Sequence, residues 1–204
     1  MRGRAPHFLP SSTATMDLSA WSRQIGVVEQ MLLDRGCTEL KPVGTGVDPV
    51  LLCTCRDERR EPMAVYLTNE PKVGVKSVRK LREDAQRTGT KHILFGCPDG
   101  LTPFATKELR EDDGTDAVIE VFRKAELSFC VARHSLVPPH RLLPSQERKE
   151  LLAHLGCKAN SLPKLKESDP VARYYRFPPG SVVRIDRRIG NLESEPYFRF
   201  VVGA

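Results

Sequence analysis

Residues 169–175 read Asp169-Pro170-Val171-Ala172-Arg173-Tyr174-Tyr175. An Asp before a helix offers its carboxylate to the free amides of the first turn, and Pro fits the first helical position because an N–H there would have no partner. The pattern predicts a short helix, ended by Pro178-Pro179-Gly180. Downstream, Val182, Val183 and Ile185 form one strand, and Tyr197 to Val202 form another in which Phe198, Phe200 and Val202 share a face. Arg187, Arg188 and Gly190 lie between them.

Working upstream, a helix is expected from Ser145, as its cap, to Leu155, with Glu147 near the positive end of its dipole and Gly156 as its stop. Before it, Leu136-Val137-Pro138-Pro139-His140 holds two consecutive prolines, which bar a regular helix and favour an extended connector. The domain boundary is placed here. Residues 134–204 are read as a small mixed α/β module, residues 17–133 as a larger domain, and residues 1–16, which show no period, as a tail.

In the larger domain Leu18, Trp21, Ile25, Val28 and Leu32 recur at steps of three and four, a helical stripe with Asp17 as candidate cap and Gly36 as stop. Val50 to Cys53 and Met63 to Leu67 read as strands across the charged stretch Arg56 to Glu61. Val78, Leu81 and Ala85 mark a second helix before Gly89, and His92 to Phe95 a further strand. Strand, helix, strand implies an α/β layer. After Gly100-Leu101-Thr102-Pro103 come a short helical stretch and the acidic loop at Glu111-Asp112-Asp113-Gly114. Then Ile119, Val121 and Phe122, followed by Leu127 to Val131, are expected to complete the sheet. The fold class is α+β.

Composition narrows the function. The chain carries 40% hydrophobic and 28% charged residues, ordinary globular usage with enough apolar side chain for a core. No apolar run reaches the roughly 18 residues that span a bilayer, and Met1 to Pro10 lack the long apolar segment of a secretory signal, so a soluble intracellular protein without a membrane partner is expected. The six cysteines, at 37, 53, 55, 97, 130 and 157, have no paired C-x-x-C spacing and are read as reduced thiols, mostly in cores. The net charge of +6 is uneven: residues 134–204 hold 12 Lys and Arg against 7 Asp and Glu, net +5, leaving 20 against 19, net +1, before them. Such a balance favours nucleic acid or an acidic protein surface as partner without choosing between them.

The C-terminal elements in this order resemble the shared small subunit of eukaryotic-type DNA-directed RNA polymerases, the fifth-subunit family, together with its small archaeal counterpart. The matching residues are Leu136 to His140 in the frame L-V-P-x-H, Leu162-Pro163, the whole run Asp169 to Tyr175, Gly180, and Val183-Arg184-Ile185. Upstream, Asp34-Arg35-Gly36, Lys72 to Lys76, and Gly100-Leu101-Thr102-Pro103-Phe104-Ala105 continue it, the last resembling the family's G-x-T-P-S-A turn, with Phe104 where Ser is usual. A second departure lies at Asn191 to Ser194, where the family has a Ser-Glu-Thr-Ser/Ala-Gly segment.

The resemblance implies a non-catalytic subunit, with a jaw-like N-terminal domain beside downstream duplex DNA and a C-terminal module assembled on the largest polymerase subunit. It implies no cofactor and no small-molecule substrate, weak non-specific DNA contact, and a nuclear location, or a virion or virus factory for a large DNA virus. The residues it singles out on the DNA side are Thr102, Pro103, Lys107 and Arg110. On the partner side they are Pro138, His140, Pro163, Asp169, Pro170, Arg173, Tyr174 and Arg184.

Each has a plainer reading beside the functional one. Thr102-Pro103 can be a simple β-turn, Lys107 and Arg110 a solvated helix face, Asp169 a helix cap alone, and Arg173 and Tyr174 internal contacts. His134 and His140 have no metal-ligand spacing around them. The enzymatic alternative is a metal-dependent nuclease using Asp48, Glu70 and Lys72, whose order after a strand loosely matches the carboxylate and (D/E)-x-K pattern. Pro71 stands against it, because it would interrupt the strand that must carry both Glu70 and Lys72. No G-x-S-x-G elbow and no Gly-rich phosphate loop occurs.

Overall fold

The computed structural model describes residues 18–42, 50–56, 61–111, 117–187 and 195–203. The expected cap Asp17, Asp48, the acidic residues beyond Glu111, and the loop at Asn191 to Ser194 lie outside them. The chain divides into two compact units, Met1–Phe129 and Cys130–Ala204.

In the N-terminal unit a 3-10 turn at Leu18–Trp21 leads into α1 (Ser22–Asp34). The strands are β1 (Thr38–Pro42), β2 (Val50–Arg56), β3 (Pro62–Leu67), β4 (His92–Cys97) and β5 (Val118–Arg123), in the spatial order β1-β2-β3-β4-β5. The first three are antiparallel; β3, β4 and β5 run parallel. The crossover between β3 and β4 is α2 (Val75–Thr88), ended by Gly89 in the left-handed conformation (φ 67°), and α3 (Pro103–Arg110) links β4 to β5.

Period-two alternation sends the central strands to two cores. Ala64, Tyr66, Ile93, Phe95 and Cys97 pack with Leu81 and Ala85 of α2. Trp21 and α1 lie on the opposite face. A Cβ added at Gly96 would meet Leu67 Cδ2 at 2.6 Å and the Trp21 ring at 3.4 Å, so this position has no room for a side chain. The indole Nε1 of Trp21 donates to Asn69 Oδ1 at 2.7 Å, which leaves a fully buried ring with its one polar atom satisfied.

The stretch Leu127 to Val131 does not complete the sheet. Its ends belong instead to two 3-10 turns, Lys124–Leu127 and Val131–Arg133. The Glu126 carboxylate accepts the Arg123 amide at 2.8 Å and curls the chain just after β5, while Leu127 is buried to 0% exposure.

The C-terminal unit is a four-stranded sheet flanked by helices. Its strands are β6 (His140–Leu142), β7 (Lys164–Lys166), β8 (Val182–Arg187) and β9 (Glu195–Val202), in the order β6-β8-β9-β7. The two helices are α4 (Ser145–Leu155) and α5 (Pro170–Tyr175). Leu165, Val183, Ile185 and Val201 pack with Ala172 and Phe177 around α5. Val182, Leu143 and Leu162 pack on the other face with Leu151, Leu152, Phe198 and Phe200. The expected connector at His140 therefore pairs as an edge strand. Ser145 does not cap α4: Pro144 occupies that position with no side-chain bond, and Ser145 is already helical. Gly156 ends α4 in the left-handed region, and Arg176 (φ 55°) ends α5 before the prolines are reached.

Candidate nucleic-acid and partner surfaces

In the N-terminal unit the residues on and before α3 form one construction. Val73 and Leu101 bridge in parallel, the Val73 amide donates to Gly100 O at 3.1 Å, and the Thr102 amide donates to Val73 O at 3.0 Å. Thr102 is not the corner of a β-turn but the N-cap of α3: its Oγ1 accepts the Ala105 amide at 3.3 Å, and Pro103 takes the first helical position. The far end of α3 is held by the nearly buried Arg82 of α2, whose Nη2 donates to Glu111 O at 2.8 Å and to Leu109 O at 3.4 Å. Arg79, also on α2, grips Glu108 at 2.7 and 3.3 Å, and this exposed guanidinium is held above its ordinary pKa by that hydrogen bond.

Buried Ala105 fixes the inner side of α3. At 3.6 residues per turn, Arg110, Pro103, Lys107, Glu111 and Phe104 then fall within an arc of about 120°, and all five are exposed. Lys107 Nζ stands 3.8 Å from Glu111 with both side chains in solvent, an ion pair of little strength. Of the four DNA-side residues expected from the sequence, Pro103, Lys107 and Arg110 thus lie on one short helix and Thr102 caps it.

In the C-terminal unit several partner-side residues gather near the start of α5. Asp169 caps it, one carboxylate oxygen accepting the Val171 amide at 2.8 Å and the Ala172 amide at 3.3 Å. Pro170 is exposed and Arg173 half-buried. His140 is half-buried, its Nδ1–H donating to Pro138 O at 2.7 Å. Burial holds its imidazole below the ordinary pKa, opposed by that hydrogen bond and by the nearby charge of Asp169. Tyr174 lies inside the unit at 3% exposure, its hydroxyl receiving a hydrogen bond from Cys130 Sγ at 3.0 Å and its ring meeting Tyr175 edge-on.

Pro163 sits at the sheet edge, its carbonyl accepting the Phe200 amide at 2.8 Å. Arg184 is on the opposite face, paired with Asp186 at 2.7 Å, and with Phe198, Leu143 and Leu151 it lines an open groove of about 330 Å³. Glu147 borders that groove and is held below its usual carboxylate range by the two-pronged contact with Arg141, at 2.7 and 3.1 Å.

The enzymatic alternative finds neither Glu70 nor Lys72 on a strand. β3 ends at Leu67, and both residues are exposed in the loop after it, Glu70 Oε2 accepting from Ser77 Oγ at 3.1 Å. Among the described residues, no three His, Cys, Asp or Glu side chains come together in a metal-binding arrangement. Burial pushes the Cys97 thiol up to about 11, so it is protonated and unreactive at neutral pH. Among the described residues, no helix is long and apolar enough to cross a membrane.

Sequence reasoning passed over two structural residues. Arg82 shares the stripe of Val78 and Ala85, and a cation on the buried face of a helix is a signal that it reaches a partner. Arg141 is different: its contact with Glu147 crosses the strand-to-helix corner and leaves no periodic trace.

Comparison with known proteins gives the chain a family context. The family model described as RNA polymerase Rpb5, C-terminal domain, matches residues 129–201. The Dictyostelium discoideum subunit rpabc1 of DNA-directed RNA polymerases I, II and III is 33% identical over 138 residues, 67% of this chain and 70% of that protein. The Caenorhabditis elegans and Caenorhabditis briggsae RPABC1 subunits are each 31% identical over 150 residues, 74% of this chain and 70% of theirs. A solved structure of EndoMS in apo form overlaps 49% of this chain and 46% of its own at 15% identity and a TM-score of 0.34, a likeness too slight to bear on fold or function.

Proposed function

Since this chain belongs to the family of RPABC1 subunits shared by DNA-directed RNA polymerases I, II and III, we propose that its N-terminal unit borders downstream duplex DNA through α3 while its C-terminal unit assembles onto the largest polymerase subunit. It is a non-catalytic subunit of the polymerase complex, and its partners are other polymerase subunits. With relatives in the eukaryotic polymerases, a nuclear location follows.

The observation that carries the DNA side is α3 itself. Lys107 and Arg110 project from a helix whose two ends are pinned by Thr102 and Arg82, so two cations are presented from a fixed base. Such groups meet phosphate oxygens and add affinity without selecting sequence. Any affinity of the isolated chain for DNA is weak and falls with salt. On the other unit, the partner surface is drawn around Pro138, His140, Asp169, Pro170 and Arg173 at the start of α5, extended by Pro163 at the sheet edge and Arg184 on the far face. Tyr174 supports this surface from within, as the buried anchor of α5.

Purification of the tagged chain from its source tests the reading. Two very large polymerase subunits should co-purify, and a photo-crosslinking residue at position 111, beside Lys107 on the same arc, should label the DNA ahead of the transcribing enzyme. Recovery of the chain alone, with magnesium-dependent cleavage of DNA, would overturn it.

A further inference from the structure

Among the described residues of the N-terminal unit Phe104 is 78% exposed, ahead of the other exposed large apolar residues, Phe129 at 56%, Val118 at 50% and Leu33 at 44%. A bare phenyl ring costs solubility wherever water surrounds it, and a single one in isolation needs no explanation. This one is not isolated in kind. It stands at the second position of α3, beside exposed Pro103 and on the same arc as Lys107 and Arg110.

The helix rise of about 1.5 Å per residue sets Lys107 and Arg110 roughly 4.5 Å and 9 Å along the axis from Phe104. Two long cationic stems at that spacing reach successive phosphates of one strand, which repeat every 3.4 Å or so along a duplex. An apolar ring held next to phosphate-binding cations is the composition by which proteins press a wedge between base pairs in the minor groove, unstacking one step. Insertion demands a rigid mount, and α3 supplies it through the Thr102 cap, the Arg79–Glu108 pair and the Arg82 clamp.

We propose that Phe104 is a wedge that enters the minor groove of the duplex held by Lys107 and Arg110 and partly unstacks one base step ahead of the polymerase. This rests on the reading of α3 as DNA-facing. Flexible pyrimidine–purine steps unstack at least cost, so such steps are the preferred sites of entry. The wedge makes no hydrogen bond to a base edge, and its preference is therefore one of deformability rather than of sequence code.

The test uses reconstituted elongation complexes containing the full chain, with 2-aminopurine placed position by position through the downstream duplex and a photo-crosslinker in place of the exposed Glu111, which leaves Lys107 and Arg110 intact. The expected result is a brighter probe at one downstream step, lost in Phe104→Ser while the crosslink to DNA persists. If the crosslink persists and Phe104→Ser leaves the fluorescence unchanged, the wedge is refuted and the DNA-facing reading of α3 stands. Absence of the crosslink refutes both. Loss of the subunit from the Phe104→Ser polymerase would make Phe104 a protein contact instead, which also overturns the proposal.

Discussion

Arg35, the residue that follows α1, grips Glu120 in the middle of β5 with both ends of its guanidinium, at 2.8 and 3.3 Å, and the two side chains are only 4% and 17% exposed. The pair ties the first helix of the N-terminal unit to the edge of its sheet. Removing one partner strands a charge out of water, so Arg35→Ala should cost about 3–5 kcal/mol of unfolding free energy. Urea titration measures this, and Arg35→Ala with Glu120→Ala should recover part of the loss. A cost below about 1 kcal/mol would mean that the pair behaves like one on the surface.

Asp169 and Thr102 cap helices of six and eight residues, too short to hold themselves without tertiary support. Asp169 serves two amides and Thr102 one, so Asp169→Ala should lose the more, within a range of about 0.5–2 kcal/mol for each. Asn retains the acceptor oxygen and should restore most of it. Hydrogen exchange at the Val171 and Ala172 amides reads the local effect. Recovery of the polymerase with Asp169→Ala reads the functional one, and reduced incorporation is expected. An unchanged yield would remove the start of α5 from the partner surface.

Most of the architecture was legible because local chemistry and tertiary structure agree. The apolar run Val182, Val183 and Ile185, the cap at Asp169 and the stops at Gly89 and Gly156 each act within a few residues, and each holds in the fold. β1 was missed because Thr38–Pro42, with Glu39, Lys41 and Pro42, shows no apolar run and is a strand through pairing with β2. Leu127 to Val131 was misread because its apolar composition suits a strand, whereas the Glu126 carboxylate turns the chain back first. For the candidate surfaces, the sequence put Thr102-Pro103 in a turn with Lys107 and Arg110 just after it, but could not show that Tyr174 is interior or that Phe104 is bare. Both depend on what packs across from them.

Stability of the chain should fall as pH drops below the ordinary imidazole value of 6.5, partly through His140. Burial lowers its folded-state pKa below the unfolded value near 6.5, so the unfolded chain binds the proton more readily. The contribution is complete above that value and is lost as pH drops through it toward the folded pKa. Glu61 and Glu147 are shifted downward from an ordinary value of 4.5, Glu61 first by its hydrogen bond to His92 and Glu147 by Arg141, so their own protonation belongs to more acid conditions. His140→Gln should flatten the profile in this window. An equally steep profile in that variant would assign the effect to another group.

Arg82 should govern how firmly α3 is presented. Its guanidinium donates to the carbonyl oxygens of Glu111 and Leu109 at the C-terminal end of the helix, where the backbone has acceptors to spare. Arg82→Met keeps the buried stem and removes the donors. Faster hydrogen exchange across Ala105 to Arg110 is expected, together with weaker crosslinking from position 111 to DNA. Lys107→Ala with Arg110→Ala leaves the clamp untouched and should weaken only the DNA contact, lowering the salt dependence of binding by about 0.9 per lost phosphate contact.

Glu70→Ala should leave transcription by the assembled enzyme unchanged. A (D/E)-x-K site needs its acid and lysine on the same face of one strand, close to a second acid, so that metal and attacking water share a pocket. Here Glu70 and Lys72 flank Pro71 in an exposed loop past the end of β3, and the Glu70 carboxylate is engaged by the Ser77 hydroxyl at the start of α2. Losing that exposed hydrogen bond should change stability by no more than about 0.5 kcal/mol. If Glu70→Ala abolished activity while Asp169→Ala left assembly intact, the loop would be chemically employed and the reading of the chain as a purely structural subunit would fail.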